Sequence, residues 1–255
     1  MLAEHIELRN VFFTYKSQER EVLAVSDVSF EVGAGQFVCL VGPSGCGKTT
    51  ILNMLAGFLN QTSGQILIGD KAIGTGERSH QESSRAVVFQ DFAQLFPWRT
   101  VRENVEFGLE MKGVASRERK EVALEFLRLV KLEKFTESFP HQLSGGMQQR
   151  AAIARSLAYN PEVLLMDEPF AALDAMTRDE MQKMLTDVWS ETQKTVVYIT
   201  HNVSEAVYLG DKVVVLKAHP GSVKTIIDIN LPRYRDPLSH EFVDLQKQIL
   251  NALTH

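Results

Sequence analysis

A glycine-rich run early in the chain has the residue types and the spacing of a phosphate-binding loop. It reads Gly42-Pro43-Ser44-Gly45-Cys46-Gly47-Lys48-Thr49, fits G-x-x-x-x-G-K-S/T, and is followed by Thr50. The backbone N–H groups of such a loop cradle phosphates, its lysine reaches the β and γ phosphates, and its threonine hydroxyl can ligate Mg²⁺. By itself the run leaves kinases, GTPases and helicases open. A plain glycine turn before a helix is the alternative without chemistry.

Two adjacent carboxylates follow an apolar run later in the chain, Val163-Leu164-Leu165-Met166-Asp167-Glu168. Asp167 would hold Mg²⁺, directly or through water. Glu168 would orient or deprotonate an attacking water, which requires a carboxylate within hydrogen-bond reach. An Asp-Glu pair alone is more often a solvated turn after a strand. Together with the phosphate-binding loop, it predicts hydrolysis of a nucleoside triphosphate.

A second loop with two adjacent glycines precedes a helical pattern over residues 148–159. It reads Leu143-Ser144-Gly145-Gly146-Met147-Gln148-Gln149-Arg150. Free backbone N–H groups at such a helix start favour an anion. Serine is also a preferred helix N-cap. The run alone therefore leaves open whether Ser144 binds a ligand or only caps the helix.

The order of the elements indicates how these residues come together. Apolar alternation and short apolar runs predict strands at 6–15, 25–32, 36–41, 65–68, 86–89, 163–166, 196–199, 212–216 and 223–229. Helical spacing predicts helices at 48–55, 101–111, 118–130, 146–159, 175–191, 203–209 and 240–253. The alternation of strands and helices after residue 163 implies a parallel sheet, whereas the first two strands suggest an antiparallel layer. The consecutive helices after residue 101 form an insert.

Composition narrows the class of protein. The chain has 255 residues, 44% hydrophobic and 23% charged, with a net charge of -5, which argues against nucleic acid as the main partner. No apolar stretch approaches the roughly 18 residues that span a bilayer, and the start lacks the pattern of a signal peptide, so we expect a cytoplasmic chain. Cys39 and Cys46 are too few for a disulfide framework, and we expect two free thiols.

With these motifs in order, nearly the whole chain resembles the ATP-binding cassette (ABC) ATPases. The resemblance implies an α/β fold, a P-loop NTPase with a RecA-like parallel sheet core, an antiparallel β layer and an inserted helical subdomain. It implies one domain over residues 1–255, with the helical subdomain at about 91–160. It also implies ATP and Mg²⁺ as cofactors.

The resemblance assigns roles to single residues. Tyr15 matches the aromatic residue that stacks on adenine, with an ordinary edge-strand aromatic as the alternative. Gln90 matches the glutamine that contacts Mg²⁺ and water and senses a membrane subunit. His201 matches the histidine that contacts the γ-phosphate and holds the catalytic carboxylate. Asp174 lies in Ala172-Leu173-Asp174, similar to the loop that crosses the dimer interface, although the family more often has serine at the position of Ala171.

The resemblance thus gives three sets of site residues. The implied catalytic residues are Glu168, His201, Gln90 and Lys48. The implied Mg²⁺ ligands are Thr49, Gln90 and Asp167. The implied nucleotide-binding residues are Tyr15, Gly42, Pro43, Ser44, Gly45, Cys46, Gly47, Lys48, Thr49, Thr50, Ser144, Gly145, Gly146, Gln148 and Asp174. In the family, the loop at Ser144 completes an ATP site that another subunit begins. Met147 stands where the family usually has glutamine, and we expect this change to be neutral for nucleotide binding.

Kinases, GTPases and helicases lack a loop of this second type, so the resemblance favours a transport ATPase. DNA-repair and translation members are the alternative, but they carry long inserts or tandem cassettes that this chain lacks. The chain resembles the ATPase of a bacterial importer, bound to the cytoplasmic face of the inner membrane through permease subunits that dock between Gln94 and Val101. Phe96 and Trp98 would form the docking groove, or else belong to the core.

The segment from Gln94 to Val101 and two further segments are similar to the branch that imports nitrate, sulfonate, taurine or bicarbonate. The two further segments are Pro220-Gly221-Ser222-Val223 and Asn230-Leu231-Pro232-Arg233-Tyr234-Arg235-Asp236. The implied partners are a second ATPase subunit (identical or a close paralogue), the permease, and a periplasmic or lipid-anchored solute-binding protein. Import of another small solute of the same branch is the alternative.

Overall fold

A computed structural model describes residues 3–17, 20–74, 85–91 and 94–254. The strands are β1 (Ile6–Lys16), β2 (Glu21–Val32), β3 (Phe37–Val41), β4 (Ser63–Ile68), β5 (Lys71–Ile73), β6 (Arg85–Val88), β7 (Val163–Asp167), β8 (Thr195–Ile199), β9 (Lys212–Lys217) and β10 (Ser222–Asp228). The helices are α1 (Lys48–Ala56), α2 (Val101–Met111), α3 (Ser116–Leu129), α4 (Gly145–Ala158), α5 (Ala175–Thr192), α6 (Val203–Leu209) and α7 (His240–Thr254). Short 3-10 helices lie at Glu133–Phe135 and Pro140–Gln142.

The central sheet has six strands in the order β10-β9-β3-β8-β7-β6. Five of them run parallel, and β10 closes the edge antiparallel to β9. Every residue of β3 and of β8 is buried, which explains why both read as continuous apolar runs. Because β3, β8, β7 and β6 are parallel neighbours, the loops that follow them open at the same edge of the sheet. Ligands of open α/β sheets bind at this carboxyl edge.

The second sheet is antiparallel, with the order β2-β1-β4-β5. The central sheet separates two hydrophobic cores, and alternate residues of its strands face one core or the other. Val38 and Leu40 pack towards α1 and the antiparallel sheet, whereas Phe37, Cys39 and Val41 pack towards the helices on the other face. The phosphate-binding loop, which leaves β3, is therefore held between two packed layers.

Helices α2, α3 and α4 pack on one another, and α4 also contacts β6 and α5. They lie inside the range predicted for the helical insert. The division of residues 1–255 into a single domain with that insert stays a prediction. Within the described residues, no helix is both long and apolar enough to cross a membrane. Cys39 and Cys46 are buried free thiols, as predicted.

The strands and helices predicted from the sequence are all present, but some boundaries are wrong. The second strand begins at Glu21 rather than at residue 25, because Val22 and Leu23 continue the pairing with β1. Strand β5 was not predicted, since three half-exposed or exposed residues give no alternation to detect. Helix α3 begins at Ser116 rather than at residue 118, and no side chain caps it.

Candidate active site

The phosphate-binding loop connects β3 to α1, and its glycines have distinct physical reasons. A Cβ on Gly42 would lie 2.5 Å from Sγ of Cys46 and 2.8 Å from the carbonyl oxygen of Leu216, so no side chain fits there. Gly45 and Gly47 have φ of 77° and 85°, which glycine adopts readily. A Cβ on Gly45 would meet no atom within 4 Å, so this side of the loop faces open space.

The start of α1 presents donors without a side-chain cap. Its N-cap is Gly47, which makes no side-chain cap hydrogen bond, and the first turn holds no acidic residue. Lys48 is only 9% exposed, and its Nζ donates to the carbonyl oxygens of Gly42 at 2.8 Å and Pro43 at 3.2 Å. Uncapped N–H groups beside a lysine form an anion-binding site. Three of the predicted nucleotide-binding residues, Pro43, Ser44 and Gly45, are exposed beside it.

Tyr15 lies beside the loop although 33 residues separate it from Lys48. Its hydroxyl is 3.2 Å from the hydroxyl of the buried Thr50, and its ring packs edge-on against Phe13 at 4.7 Å. The side chain is 45% exposed. An exposed ring next to a phosphate-binding loop is available for stacking on a base, and that role stays a prediction.

Asp167 ends β7 and meets the phosphate-binding loop. Burial raises the pKa of its carboxyl, the hydrogen bond with Thr49 lowers it, and the charges of Glu168 and Lys48 raise and lower it respectively. The two residues predicted to hold Mg²⁺ from the loop and from the strand are thus neighbours. The third, Gln90, follows β6 in an exposed bend, and β6 is the parallel neighbour of β7.

Glu168 has a backbone φ of 44°, which is uncommon for a residue with a side chain. Its N–H donates to the carbonyl oxygen of Ile199 at 3.0 Å, which holds it against β8. Its Oε2 lies 2.8 Å from Nδ1 of His201, which follows the same strand. Backbone strain of this kind gathers at functional sites, because the surrounding structure must hold it in place.

The second glycine loop lies at the start of α4, in the helical part of the chain. Ser144 is the N-cap, and its hydroxyl accepts from the N–H of Met147 at 3.3 Å. Ser144 therefore does cap the helix, as one of the two interpretations of this loop predicted. Ser144 is also exposed, so it remains available to a ligand. Gly146 has a separate packing role, because a Cβ there would lie 2.8 Å from Cγ2 of Thr177.

Two other predicted ligands are engaged within the chain. Gln148 donates from Nε2 to the carbonyl oxygens of Pro140 at 3.0 Å and Leu143 at 3.3 Å. Asp174 is the exposed N-cap of α5 and accepts from the N–H of Thr177 at 3.0 Å. Hydrogen bonds from Thr177 lower the pKa of Asp174. Their roles towards a nucleotide stay predictions.

A mostly apolar groove of about 720 Å³ lies beside the loop of Gln90, and Phe89, Gln94, Phe96 and Arg155 are among the residues that line it. Phe96 is half-buried and packs edge-on against Phe107 at 4.6 Å. Trp98, whose ring centroid is 5.6 Å from that of Phe96, is 72% exposed. Trp98 is therefore not a core residue, which removes that alternative for it.

Sequence reasoning missed two buried polar side chains next to the site. Gln149 is 0% exposed, and its Nε2 donates to the carbonyl oxygen of Phe89 at 3.2 Å, one residue before Gln90. Glu205 is 4% exposed and lies four residues after His201. The pattern Asn202-x-x-Glu205 could only signal a helix start, at which an acidic residue is normally solvated.

The site as a whole joins a phosphate-binding loop, the neighbouring carboxylate of Asp167 and a carboxylate–histidine pair at one edge of a parallel sheet. This arrangement defines a P-loop nucleoside triphosphatase. A family model described as ABC transporter matches residues 25–171, and another, described as the P-loop domain of ABC ATPases, matches residues 118–229.

Relatives and solved structures agree with the family models. The nitrate import ATP-binding protein of Synechocystis is 44% identical over 229 residues, covering 89% of this chain and 84% of that protein. The taurine import ATP-binding protein of Rhizobium johnstonii is 45% identical over 228 residues, with 89% and 84% covered. A dimeric ATP-binding cassette bound to ADP and phosphate superposes with a TM-score of 0.78 at 36% identity, covering 89% of this chain and 100% of that one.

The chain belongs to the ABC transporter family. Its fold is the P-loop ATPase fold of that family, and its activity is ATP hydrolysis coupled to transport.

Proposed function

We propose that this chain hydrolyses ATP to power the import of a small solute through a permease. Two copies, or one copy and a close paralogue, bind two ATP molecules between the phosphate-binding loop of one and the Ser144 loop of the other. The observation that carries the proposal is the contact between Glu168 and His201 at the sheet edge that also carries the phosphate-binding loop.

The chain's own residues supply binding and proton transfer. The N–H groups of the loop and the ammonium of Lys48 bind the β and γ phosphates. Glu168 orients the attacking water and accepts its proton. His201 holds the Glu168 carboxylate in place, and His201 also contacts the γ-phosphate. Because Glu168 is 22% exposed as a side chain, water can approach it, and its contact with His201 limits its rotamers.

The residues present fit Mg²⁺ as the second cofactor. Mg²⁺ is usually bound by one or two carboxylates together with substrate phosphates rather than by a cage of protein ligands. Asp167 and Thr49 are neighbours and provide a carboxylate and a hydroxyl at the loop. Within the described residues, no group of three or more His, Cys, Asp or Glu side chains forms a metal cage. When bound, Mg²⁺ would neutralise charge on the phosphates, with Thr49, Asp167 and Gln90 as its ligands.

The positions of the two glycine loops support a shared site. The phosphate-binding loop leaves the central sheet, whereas Ser144 starts α4, which packs on α2, α3, β6 and α5. Ser144 and Asp174 are both exposed N-caps, of α4 and α5, and Gly146 packs against α5 through Thr177. We assign this exposed pair of helix starts to the ATP of a second subunit. The dimeric state of the related cassette supports the assignment.

The groove beside Gln90 is the proposed permease dock. Apolar residues line most of it, and the exposed Trp98 lies at its side, so an apolar helix of the membrane subunit fits it. Gln94 joins the groove to the site, since its Nε2 donates to the carbonyl oxygen of Phe89 at 3.0 Å. Docking through this groove would hold the cassette at the cytoplasmic face of the inner membrane.

The transported solute is a small anion or zwitterion such as nitrate, sulfonate, taurine or bicarbonate. The nitrate and taurine import relatives are about equally similar to this chain, at 44% and 45% identity, so similarity does not choose between their solutes. A solute-binding protein on the opposite side of the membrane would make that choice.

The test is reconstitution of the chain with the permease and binding protein that co-purify with it. ATP hydrolysis in proteoliposomes is measured with nitrate, taurine, an alkyl sulfonate or bicarbonate supplied to the binding protein. We expect one of these solutes to stimulate hydrolysis. A cassette that hydrolyses ATP but associates with no membrane protein would instead favour a repair or translation ATPase.

A further inference from the structure

A buried carboxylate lies directly behind His201. Glu205 is in the first turn of α6 and is 4% exposed. Its Oε2 accepts a short hydrogen bond from the hydroxyl of Thr200, and its Oε1 accepts from Nε2 of Gln182 on α5 at 3.4 Å. A charged side chain is rarely buried without a specific structural or functional reason.

Glu205 fixes the chain on both sides of His201. Thr200, which precedes it, donates to the Glu205 carboxylate and accepts from the N–H of Asn202 at 3.0 Å. Asn202, which follows it, accepts at Oδ1 from the N–H of Glu205 at 3.2 Å. The N–H of Thr200 also donates to the carbonyl oxygen of Leu40 at 3.2 Å. The backbone of His201 is thus braced between α6 and β3.

The same carboxylate borders a small cavity shared with the catalytic pair. The cavity is about 10 Å³, and Glu168, His201, Arg178 and Glu205 are among its lining residues. A volume of this size holds at most about one water molecule. Arg178 donates to the carbonyl oxygen of Leu173 at 2.8 Å, which ties the cavity to the loop before α5.

The electrostatic surroundings of Glu205 agree with a buried anchor. Burial raises the pKa of its carboxyl, while hydrogen bonds, with that from Thr200 the largest, and the positive charge of Arg178 act in the opposite direction. Either protonation state of the carboxyl keeps an oxygen that can accept from Thr200. The anchoring geometry therefore does not depend on the charge of Glu205.

We propose that Glu205 is a positioning residue for ATP hydrolysis. By holding Thr200 and Asn202 it fixes the backbone that carries His201, and thereby the direction in which the imidazole meets Glu168 and the γ-phosphate. In this role Glu205 touches neither the nucleotide nor the attacking water. The inference rests on the roles proposed above for Glu168 and His201.

The test compares variants of the full-length chain in steady-state ATP hydrolysis with Mg²⁺. Thr200→Val removes the hydroxyl and keeps the side-chain volume. We expect its kcat to fall by about 10- to 100-fold, within the cost of a misplacement of roughly 1 Å, while KM for ATP stays within about twofold. Glu205→Gln keeps an acceptor for Thr200, and Gln182 can turn its amide over, so this variant should keep most of the wild-type kcat. Thermal unfolding checks that each variant is folded.

The matched control is Thr186→Val on α5. Thr186 is 2% exposed, and its hydroxyl donates to the carbonyl oxygen of Gln182 in the same helix at 2.9 Å. This variant loses one buried hydroxyl without touching the segment of His201, so its kcat should be unchanged. A fall in kcat equal to that of Thr200→Val would overturn the inference, since it would reflect general loosening of the region.

A double variant separates positioning from an independent structural effect. In the His201→Ala background, single-turnover hydrolysis should show no further loss from Thr200→Val, because no imidazole remains to be positioned. Additive losses would overturn the inference. Full hydrolysis by His201→Ala alone would contradict the proposed function itself. An impaired His201→Ala with an unimpaired Thr200→Val would contradict only the role of Glu205.

Discussion

Nδ1 of His201 lies 2.8 Å from Oε2 of Glu168, across the ends of the neighbouring strands β8 and β7. Each residue reaches this contact by its own constraint: Glu168 through a backbone φ of 44°, and His201 through the anchored segment after β8. A carboxylate held by an imidazole is oriented for a water molecule.

Glu168→Gln should bind ATP with near-normal affinity and lose steady-state hydrolysis by at least about 100-fold, since positioned proton transfer typically contributes 10²–10⁴-fold. The amide keeps the shape and the hydrogen bond but accepts no proton. Phosphate release and nucleotide binding are measured on the same preparation, and size-exclusion with ATP should detect a longer-lived closed dimer. Near-normal steady-state hydrolysis would remove Glu168 from the mechanism.

Gly45→Ala and Gly113→Ala form a matched pair. Both glycines have left-handed backbone, with φ of 77° and 75°, and a Cβ on either would meet no atom within 4 Å. Each substitution should cost about 1–2 kcal/mol of unfolding free energy. Only Gly45→Ala should also weaken ATP binding, because its methyl group would enter the open space that we assign to a bound phosphate. Equal ATP affinities for the two variants would contradict that assignment.

Asp167→Asn should raise the unfolding temperature of the nucleotide-free chain while abolishing the Mg²⁺ dependence of ATP binding. Burial raises the pKa of Asp167 above its unfolded value, so the unfolded chain ionises first and stability falls as pH rises through this range. The neutral amide avoids that loss. Thermal unfolding at neutral and mildly acidic pH tests it, and a lower unfolding temperature at neutral pH would contradict it.

Trp98→Ala should separate docking from catalysis. The ring is 72% exposed, so its removal should change the unfolding free energy by less than about 0.5 kcal/mol and leave ATP hydrolysis unchanged. Loss of a tryptophan anchor should weaken permease binding by about 2 kcal/mol or more. The control is Met111→Ala, which also removes an exposed apolar side chain, since Met111 on α2 is 68% exposed. Equal permease retention by both variants would place the dock elsewhere.

Much of the fold is readable from local patterns. Strands β3, β7 and β8 are covered on both faces, so their sequences contain short continuous apolar runs, which are typical of buried strands. The phosphate-binding loop can also be predicted from a short motif, because its local backbone geometry requires glycine at fixed positions. The contact of Asp167 with Thr49 then follows from the parallel order of the strands.

The buried polar side chains that hold the site in place cannot be predicted in this way. Glu205 and Gln149 lie early in helices α6 and α4, and residues of these types usually face solvent. Their burial depends on partners that are distant in sequence, with Gln182 lying 23 residues from Glu205 and Phe89 lying 60 residues from Gln149. Only the folded chain brings these groups together. The motif supplies the reacting side chains, and tertiary packing supplies the groups that hold them.

Mixing two inactive variants tests whether each ATP site joins the phosphate-binding loop of one subunit to the Ser144 loop of another. In a heterodimer of Ser144→Arg with Lys48→Ala, one site carries both damaged residues and the other carries neither. Hydrolysis by the mixture, with heterodimers verified by two affinity tags, should rise well above that of either variant alone. No gain in verified heterodimers, or full hydrolysis by an isolated monomer, would contradict the shared site.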